Sequence, residues 1–140
     1  MSKTLVNIID KSNPLPAYLF TKEYYEIGDE LLFISTEEES DCILRMAHSL
    51  GIEEQFVKSI IVKRHEDKML YEYICRTIKD KLEPETQYYL NLAGGNRYMT
   101  LSVQHVFEDF NTLFFYTQTR ENLIVKTIFD NSIYDDDDEV

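Results

Sequence analysis

The sequence predicts an α/β fold of the Rossmann-like kind, with a mainly parallel central sheet of about six strands and helices on both faces. Short apolar runs alternate with amphipathic stretches four times along the chain. These runs are apolar throughout, which is typical of strands covered on both faces. The last two runs are separated only by a short polar segment, which predicts an antiparallel C-terminal strand pair.

The first half of the chain contains three strand-like runs. The first run is ended by a loop that contains Asn13, Pro14 and Pro16, because proline cannot continue a ladder smoothly. Gly28 and Gly51 follow the first two amphipathic stretches and are natural residues for helix ends. The predicted elements are, in order, strand 4–9, helix 17–28, strand 30–36, helix 37–50 and strand 58–64.

The second half repeats the pattern and then changes it. Apolar residues recur at helical spacing from Met69 to Ile78, and Pro84 follows the end of this helix. The fourth strand, 88–92, leads into a glycine turn at 93–96 and a helix over 97–110. The runs 112–117 and 122–129 are the predicted antiparallel strands.

Length and charge limit the number of domains and the classes of partner. The 140 residues are enough for one domain, predicted over residues 1–130, with a disordered acidic tail or truncated linker over 131–140. The net charge is -12, and five acids lie in the last six residues, which leaves -7 on the rest. Binding to extended DNA or RNA is therefore not expected, because it relies on many lysines and arginines. One small anion held locally remains compatible with this charge.

The sequence contains no run of about 20 apolar residues and no signal peptide, so a cytoplasmic protein without membrane contact is expected. Cys42 and Cys75 are far apart and are interpreted as small hydrophobic residues in a reducing compartment. His48, His65 and His105 have no metal-ligand spacing. No metal and no cofactor is predicted.

The most informative segment is the one after the fourth strand, Asn91-Leu92-Ala93-Gly94-Gly95-Asn96-Arg97. Two glycines allow backbone N–H groups to turn toward a phosphate, while the next helix presents its positive N-terminal end. Arg97 can add a charged contact. A plain tight turn explains a Gly-Gly pair equally well, and the segment is neither GxGxxG nor GxxxxGK[ST].

The loop after the first strand offers a second set of polar groups. Lys11, Ser12 and Asn13 precede Pro14, and such groups suit a base edge or a ribose. In an open parallel sheet, ligands bind beyond the carboxyl ends of strands where the strand order reverses. The alternative interpretation is an Asx-type turn that stabilises only itself.

Taken together, these segments resemble the CARF family, the CRISPR-associated Rossmann-fold sensor domains. The resemblance covers roughly residues 3–130 and rests on LVNII, SNPLP before an aromatic-rich helix, ELLFIST, and NLAGGNRYM. It is closest to the N-terminal domains of CARF-linked nucleases and related effectors, where the last motif commonly reads N-L-T-G-G-T-K-x-M. Arg97 replaces the lysine, and Ala93 and Asn96 replace threonines.

The resemblance implies a homodimer that binds a cyclic oligoadenylate, with cyclic tetra-adenylate favoured over the hexa-adenylate. This second messenger of type III CRISPR defence would switch on a linked or associated effector. About 130 residues are used by the sensor fold, so the effector is expected on a partner or on a longer chain. The implied ligand-binding residues are Lys11, Ser12, Asn13 and Pro14 over the adenines, Thr36 at the pocket floor, and Ala93, Gly94, Gly95, Asn96 and Arg97 at the phosphates and riboses.

Two other functions stay open. Some members of the family cleave the ring without metal, by in-line attack of a ribose 2′-hydroxyl on the neighbouring phosphate. Such a ring nuclease needs geometry and electrostatic stabilisation more than a strong base, and the candidates here are Lys11, Ser12 and Arg97. The second alternative is a Rossmann-like protein-interaction module without a nucleotide ligand.

Overall fold

A computed structural model describes residues 2–9, 14–35, 40–62, 70–94, 97–118 and 123–130. They form one six-stranded sheet with the order β3-β2-β1-β4-β5-β6. The first five strands are parallel, and β6 is antiparallel to β5. The strands are β1 Thr4–Ile8, β2 Glu30–Ser35, β3 Val57–Ile61, β4 Tyr88–Asn91, β5 Thr112–Gln118 and β6 Leu123–Asp130.

Four helices cover the two faces of this sheet. They are α1 Leu15–Tyr24, α2 Ser40–Ser49, α3 Leu70–Lys79 and α4 Arg97–Phe107, with a short 3-10 turn at Glu54–Phe56. Helices α1 and α2 pack on the face that carries Phe33 and Phe115. Helices α3 and α4 pack on the face that carries Ile34 and Phe114. Each apolar layer therefore removes one side of the central strands from water, and every residue of β1 is buried.

The predicted fold class is confirmed. All six predicted strands are present, and the C-terminal pair is antiparallel. Five of them match their expected bounds within one residue, whereas β3 ends at Ile61, three residues before its predicted end at 64. Gly51 follows α2 with a φ of 74°, as expected of a residue that ends a helix. The predicted acidic tail, 131–140, lies outside the described residues.

The first helix was predicted over 17–28, and both ends of that prediction are wrong. Helix α1 begins at Leu15, where Pro14 occupies the N-cap position and Pro16 the first turn, both of which tolerate proline. It ends at Tyr24 because a turn from Glu26 to Asp29 follows, in which the Asp29 N–H donates to the Glu26 carbonyl at 2.9 Å. The carboxylate of Asp29 accepts the backbone N–H of Glu26 at 2.9 Å, which competes with continuation of the helix.

Helical spacing also places Ile27 in the first helix and predicts Leu44 and Leu101 in the core, but all three are at the surface. Ile27 is fully exposed in the turn after α1, Leu44 is 49% exposed on α2, and Leu101 is 55% exposed on α4. Ile27 lies beyond the end of α1 at Tyr24, and the exposure of Leu44 and Leu101 shows that helical spacing alone does not decide the burial of an apolar residue.

The two cysteines are half-buried side chains. Neither Cys42 nor Cys75 is in a disulfide. Burial raises the pKa of the Cys75 thiol, which makes it a poorer nucleophile at neutral pH. Among the described segments, none of the helices combines the length and apolarity that a bilayer crossing requires.

Candidate functional site at the carboxyl ends of β1 and β4

Strands β1 and β4 are parallel neighbours at the centre of the sheet, and the chain turns to opposite faces of the sheet after them. After β1 it enters α1 on one face, and after β4 it enters α4 on the other. The strand order thus reverses between these two strands. In open parallel sheets this geometry leaves a crevice between the two following loops, and ligands bind there.

Gly94, in the loop after β4, packs closely against the end of β1. Its φ is 95°, in the region that favours glycine. A Cβ atom placed on Gly94 would lie 2.5 Å from the carbonyl oxygen of Ile8, the last residue of β1. On the other side, the Thr100 hydroxyl of α4 donates to the Gly94 carbonyl at 3.0 Å. The loop is therefore held between β1 and α4 with no side chain at this point.

Arg97 is the first residue of α4 and is exposed. The first turn of this helix contains no acidic residue, so the positive end of the helix dipole is not neutralised there. Buried Met99 and Val103 anchor the helix on the sheet. The arrangement presents a guanidinium and a helix N-terminus together beside the glycine loop. Gly95 and Asn96, which connect them, lie outside the described residues.

Of the predicted binding residues after β1, the structure describes only Pro14. It is half-buried, and its carbonyl accepts the backbone N–H of Tyr18 at 3.1 Å, which fixes the first turn of α1. Lys11, Ser12 and Asn13 lie outside the described residues, and so does Thr36 after β2. Among the proposed catalytic groups, Arg97 alone is described. Ala93 is buried directly after β4.

The sequence patterns did not predict a buried polar network near the carboxyl ends of β1 and β4. Asn7 of β1 lies opposite Asn91 of β4 in the sheet register, and the amide of Asn91 donates to Oδ1 of Asn7 at 3.1 Å. The Asn7 amide donates to the Thr21 hydroxyl of α1 at 2.9 Å. The signal that could have revealed this pair is an asparagine in the middle of two otherwise apolar strands, LVNII and YYLNL.

One further hydroxyl lies at the same edge of the sheet. Ser35 is the last residue of β2 and is buried, yet its Oγ has no hydrogen-bond partner in the part of the chain that the structure describes. Its backbone carbonyl accepts the N–H of Val62 at 2.8 Å, which continues the pairing with β3. Ser35 immediately precedes Thr36, the residue predicted at the pocket floor.

The opposite end of the sheet has the wrong charge for a phosphate ligand. A groove there is lined by Glu30, Glu83 and Glu85 together with Lys3. The ammonium of Lys3 is already engaged by Asp29 at 2.7 Å and Glu26 at 2.8 Å. Within the described residues no group of three or more His, Cys, Asp and Glu side chains could hold a metal ion. The carboxyl end of the sheet is therefore the better candidate for an anionic ligand.

Comparison with known families identifies the family of this chain. The family model described as the Card1 CARF domain matches residues 4–135. This chain belongs to the CARF family. The resemblance predicted from the four sequence segments is thereby confirmed. No protein of curated function matches this CARF domain significantly.

Solved structures show the same fold at low sequence identity. Protein VC1899 from Vibrio cholerae superposes with a TM-score of 0.75 at 14% identity, over 95% of this chain and 34% of that one. Can2 from Sulfobacillus thermosulfidooxidans, solved in complex with cyclic tetra-adenylate, superposes with a TM-score of 0.62 at 16% identity, over 90% of this chain and 34% of that one. This CARF domain thus spans about a third of the length of these two proteins.

Proposed function

We propose that this chain is a sensor domain that binds a cyclic oligoadenylate, with cyclic tetra-adenylate as the favoured ring, at the carboxyl ends of β1 and β4. In this proposal the domain acts as a cytoplasmic homodimer in type III CRISPR defence and regulates a linked or associated effector. The domain is taken to comprise residues 1–130. Its ligand contacts would come from four described residues, Pro14, Ala93, Gly94 and Arg97. The other predicted contacts lie outside the described residues and are Lys11, Ser12, Asn13, Thr36, Gly95 and Asn96.

The observation that carries the proposal is the packing of Gly94 against Ile8. Because Gly94 has no Cβ atom, the loop after β4 can lie against β1 at the point where the strand order reverses. In this proposal the ligand reaches the backbone N–H groups of this loop, which glycine leaves accessible. The exposed Arg97 and the N-terminus of α4 lie at the end of the same loop and supply positive charge.

The electrostatics favour a small anion over a polymer. Cyclic tetra-adenylate carries about four phosphates, which a local positive rim can hold on an acidic protein. Five of the acidic residues lie in the last six positions of the chain, outside the predicted binding fold. The net charge of -12 therefore argues against extended nucleic acids and leaves this ligand class open.

The comparisons support the same ligand class. The chain belongs to the CARF family, and a protein that shares its fold, Can2, was solved with cyclic tetra-adenylate. An effector region is proposed because the matched structures are about three times as long as this chain.

A dimer is proposed because a ring with two-fold symmetry can use the same loop from two subunits. Helix α4, which begins at Arg97, also carries the exposed Leu101 one turn away from His105. The ring of His105 contacts exposed Tyr71 of α3 at 5.8 Å between centroids. This α3–α4 surface, formed by Leu101, His105 and Tyr71, is apolar and aromatic and begins one helical turn after Arg97. Its burial between two subunits would remove it from water.

Calorimetry tests the ligand. Cyclic tetra-adenylate and cyclic hexa-adenylate are titrated into the protein, with linear tetra-adenylate and NAD as controls. We expect saturable binding of one ring per two chains, with the tetra-adenylate bound more tightly. The absence of saturable heat with both rings would refute the sensor proposal and favour the protein-interaction module.

The fate of the bound ring distinguishes a pure sensor from a ring nuclease. The protein is incubated with cyclic tetra-adenylate in the presence of a chelator, and the nucleotides are separated by chromatography. We expect an intact ring after hours from a pure sensor. Linear products that depend on Arg97 would instead assign metal-independent cleavage to this domain.

A further inference from the structure

Three polar side chains lie side by side in the apolar layer between the sheet and α1. Asn7, Asn91 and Thr117 belong to the adjacent strands β1, β4 and β5, and Thr21 of α1 covers them. Asn7, Asn91 and Thr21 are completely buried, and Thr117 is nearly so. Their neighbours on this face are the rings of Phe20, Phe33 and Phe115. A polar cluster in such surroundings is stable only when its hydrogen bonds are made.

Asn91 has a partner for every hydrogen-bonding position of its side chain. Its amide donates to Oδ1 of Asn7 at 3.1 Å and to the carbonyl of Pro16 at 3.2 Å. Its Oδ1 accepts the backbone N–H of Ala93 at 3.2 Å and the hydroxyl of Thr117 at 3.1 Å. An asparagine side chain offers two donor hydrogens and two acceptor lone pairs, so all four are used.

Two of these four contacts are to backbone atoms outside the sheet. The Pro16 carbonyl belongs to the first turn of α1, directly after the loop that follows β1. The Ala93 N–H belongs to the glycine loop that follows β4, next to Gly94. One buried side chain thus ties the first turn of α1 to the start of the glycine loop.

Packing alone does not require this arrangement. A buried polar group with all its partners contributes little more to stability than an apolar residue of similar size. Leucine would fill the volume of Asn91, but it would hold neither the Pro16 carbonyl nor the Ala93 N–H. The specific consequence of asparagine here is the position of the first turn of α1 relative to the glycine loop.

We propose that Asn91 is a positioning residue that sets the distance between the first turn of α1 and the glycine loop after β4, through its contacts to Pro16 and Ala93. The inference rests on the proposed function, because the quantity it controls is affinity for the ring. Thr117 supports it, since its hydroxyl orients the Asn91 carboxamide so that the amide faces Asn7 and Pro16. Neither residue is assigned a contact with the ligand.

Two variants and a matched control test this inference in the full chain. Asn91→Leu removes all four contacts, and Thr117→Val removes one contact while keeping the side-chain shape. Thr112→Val is the control, because Thr112 is also a completely buried threonine of β5. Its hydroxyl donates to the Phe107 carbonyl at 3.0 Å, at the opposite end of the strand from Thr117. The control therefore loses a comparable buried hydrogen bond, while the contacts of Asn91 to Pro16 and Ala93 stay intact.

Hydrogen exchange followed by NMR gives a readout that needs no ligand. We expect the Ala93 amide to exchange at least about tenfold faster in both variants than in Thr112→Val, while amides in the centre of β1 stay protected. The titration with cyclic tetra-adenylate should then show a loss of affinity of about tenfold in Asn91→Leu and a smaller loss in Thr117→Val, with none in the control.

Each result bears on a separate claim. Unchanged exchange at Ala93 in Thr117→Val and Asn91→Leu would overturn the inference. So would an affinity loss in Thr112→Val equal to that in Thr117→Val, because general destabilisation would then explain both. If Asn91→Leu does not fold, the comparison of Thr117→Val with Thr112→Val still decides. Failure of the unsubstituted protein to bind either ring would refute the proposed function, whereas the exchange rates would still test the positioning role.

Discussion

Gly94 and Ile8 are in such close backbone contact that a methyl group on Gly94 would fall 2.5 Å from the Ile8 carbonyl oxygen. This distance is shorter than carbon and oxygen tolerate without a bond, so the backbone of one loop would have to move. The contact joins the end of β1 to the loop after β4, and those two segments border the proposed binding crevice. Any residue other than glycine at this position therefore changes the crevice itself.

Replacement of Gly94 by alanine should destabilise the protein by about 3 kcal/mol, from the positive φ and the clash together. Gly28→Ala is a matched control, because Gly28 has a similar φ of 99° and nothing within 4 Å of its added Cβ. The control should cost only the conformational term, about 1 to 2 kcal/mol. Urea unfolding measures both values. Equal decreases in the free energy of unfolding of the two variants would show that the clash with Ile8 does not contribute to it.

The layout of the fold could be predicted from the sequence, but parts of the site could not. The apolar runs predicted all six strands, because burial on both faces leaves a strong local pattern. The end of α1 at Tyr24 was not predictable from spacing, since it depends on the Asp29 carboxylate reaching back to Glu26. The Asn7–Asn91 pair depends on β1 and β4 being neighbours, which single-strand patterns do not encode. The glycine loop was found because its composition is unusual by itself.

Substitution of Arg97 by alanine should weaken binding of cyclic tetra-adenylate by about 1.5 to 3 kcal/mol, the size of a lost charge-assisted contact. Arg97 is exposed, so the fold should be unaffected. Lys58→Ala is the control, since Lys58 is also exposed but lies on the edge strand β3. Calorimetry compares the two variants. Unchanged affinity in Arg97→Ala would remove this residue from the proposed site.

Introduction of a charge at Leu101 should shift the proposed dimer to monomer. Leu101 belongs to the α3–α4 surface, and a glutamate there would place an unpaired charge in the proposed interface. Leu44→Glu is the control, because Leu44 is a similarly exposed leucine on α2, on the opposite face of the sheet. Light scattering coupled to gel filtration gives the masses. A dimer that persists in Leu101→Glu, or dissociates equally in Leu44→Glu, would contradict this interface.

The ion pair of Lys3 should contribute strongly to stability at neutral pH. Its side chain is only 9% exposed and contacts Asp29, which is 3% exposed. Lys3→Met leaves the Asp29 carboxylate buried without its cation, a change that typically costs about 3 kcal/mol. Lys58→Met, at an exposed position, should change the free energy of unfolding by less than about 0.5 kcal/mol. Equal values for both variants in urea unfolding would refute this role of the pair.

The same ion pair predicts a loss of stability in alkali. Burial lowers the pKa of Lys3, but the hydrogen bonds and charges of Asp29 and Glu26 outweigh it and raise the pKa above the ordinary 10.5. Since the folded protein holds this proton more tightly than the unfolded chain, the stabilisation is complete below 10.5 and is lost as the pH rises through the folded pKa.

Burial also raises the pKa of Tyr88 above 10.0, so its ionisation acts in the same direction. The free energy of unfolding should therefore decrease between about pH 9 and pH 11, less steeply in Lys3→Met, while Tyr88→Phe keeps the Lys3 contribution. Urea unfolding at the two pH values measures these slopes. An equal slope in Lys3→Met and the unsubstituted protein would show that Lys3 does not hold its proton more tightly in the folded state.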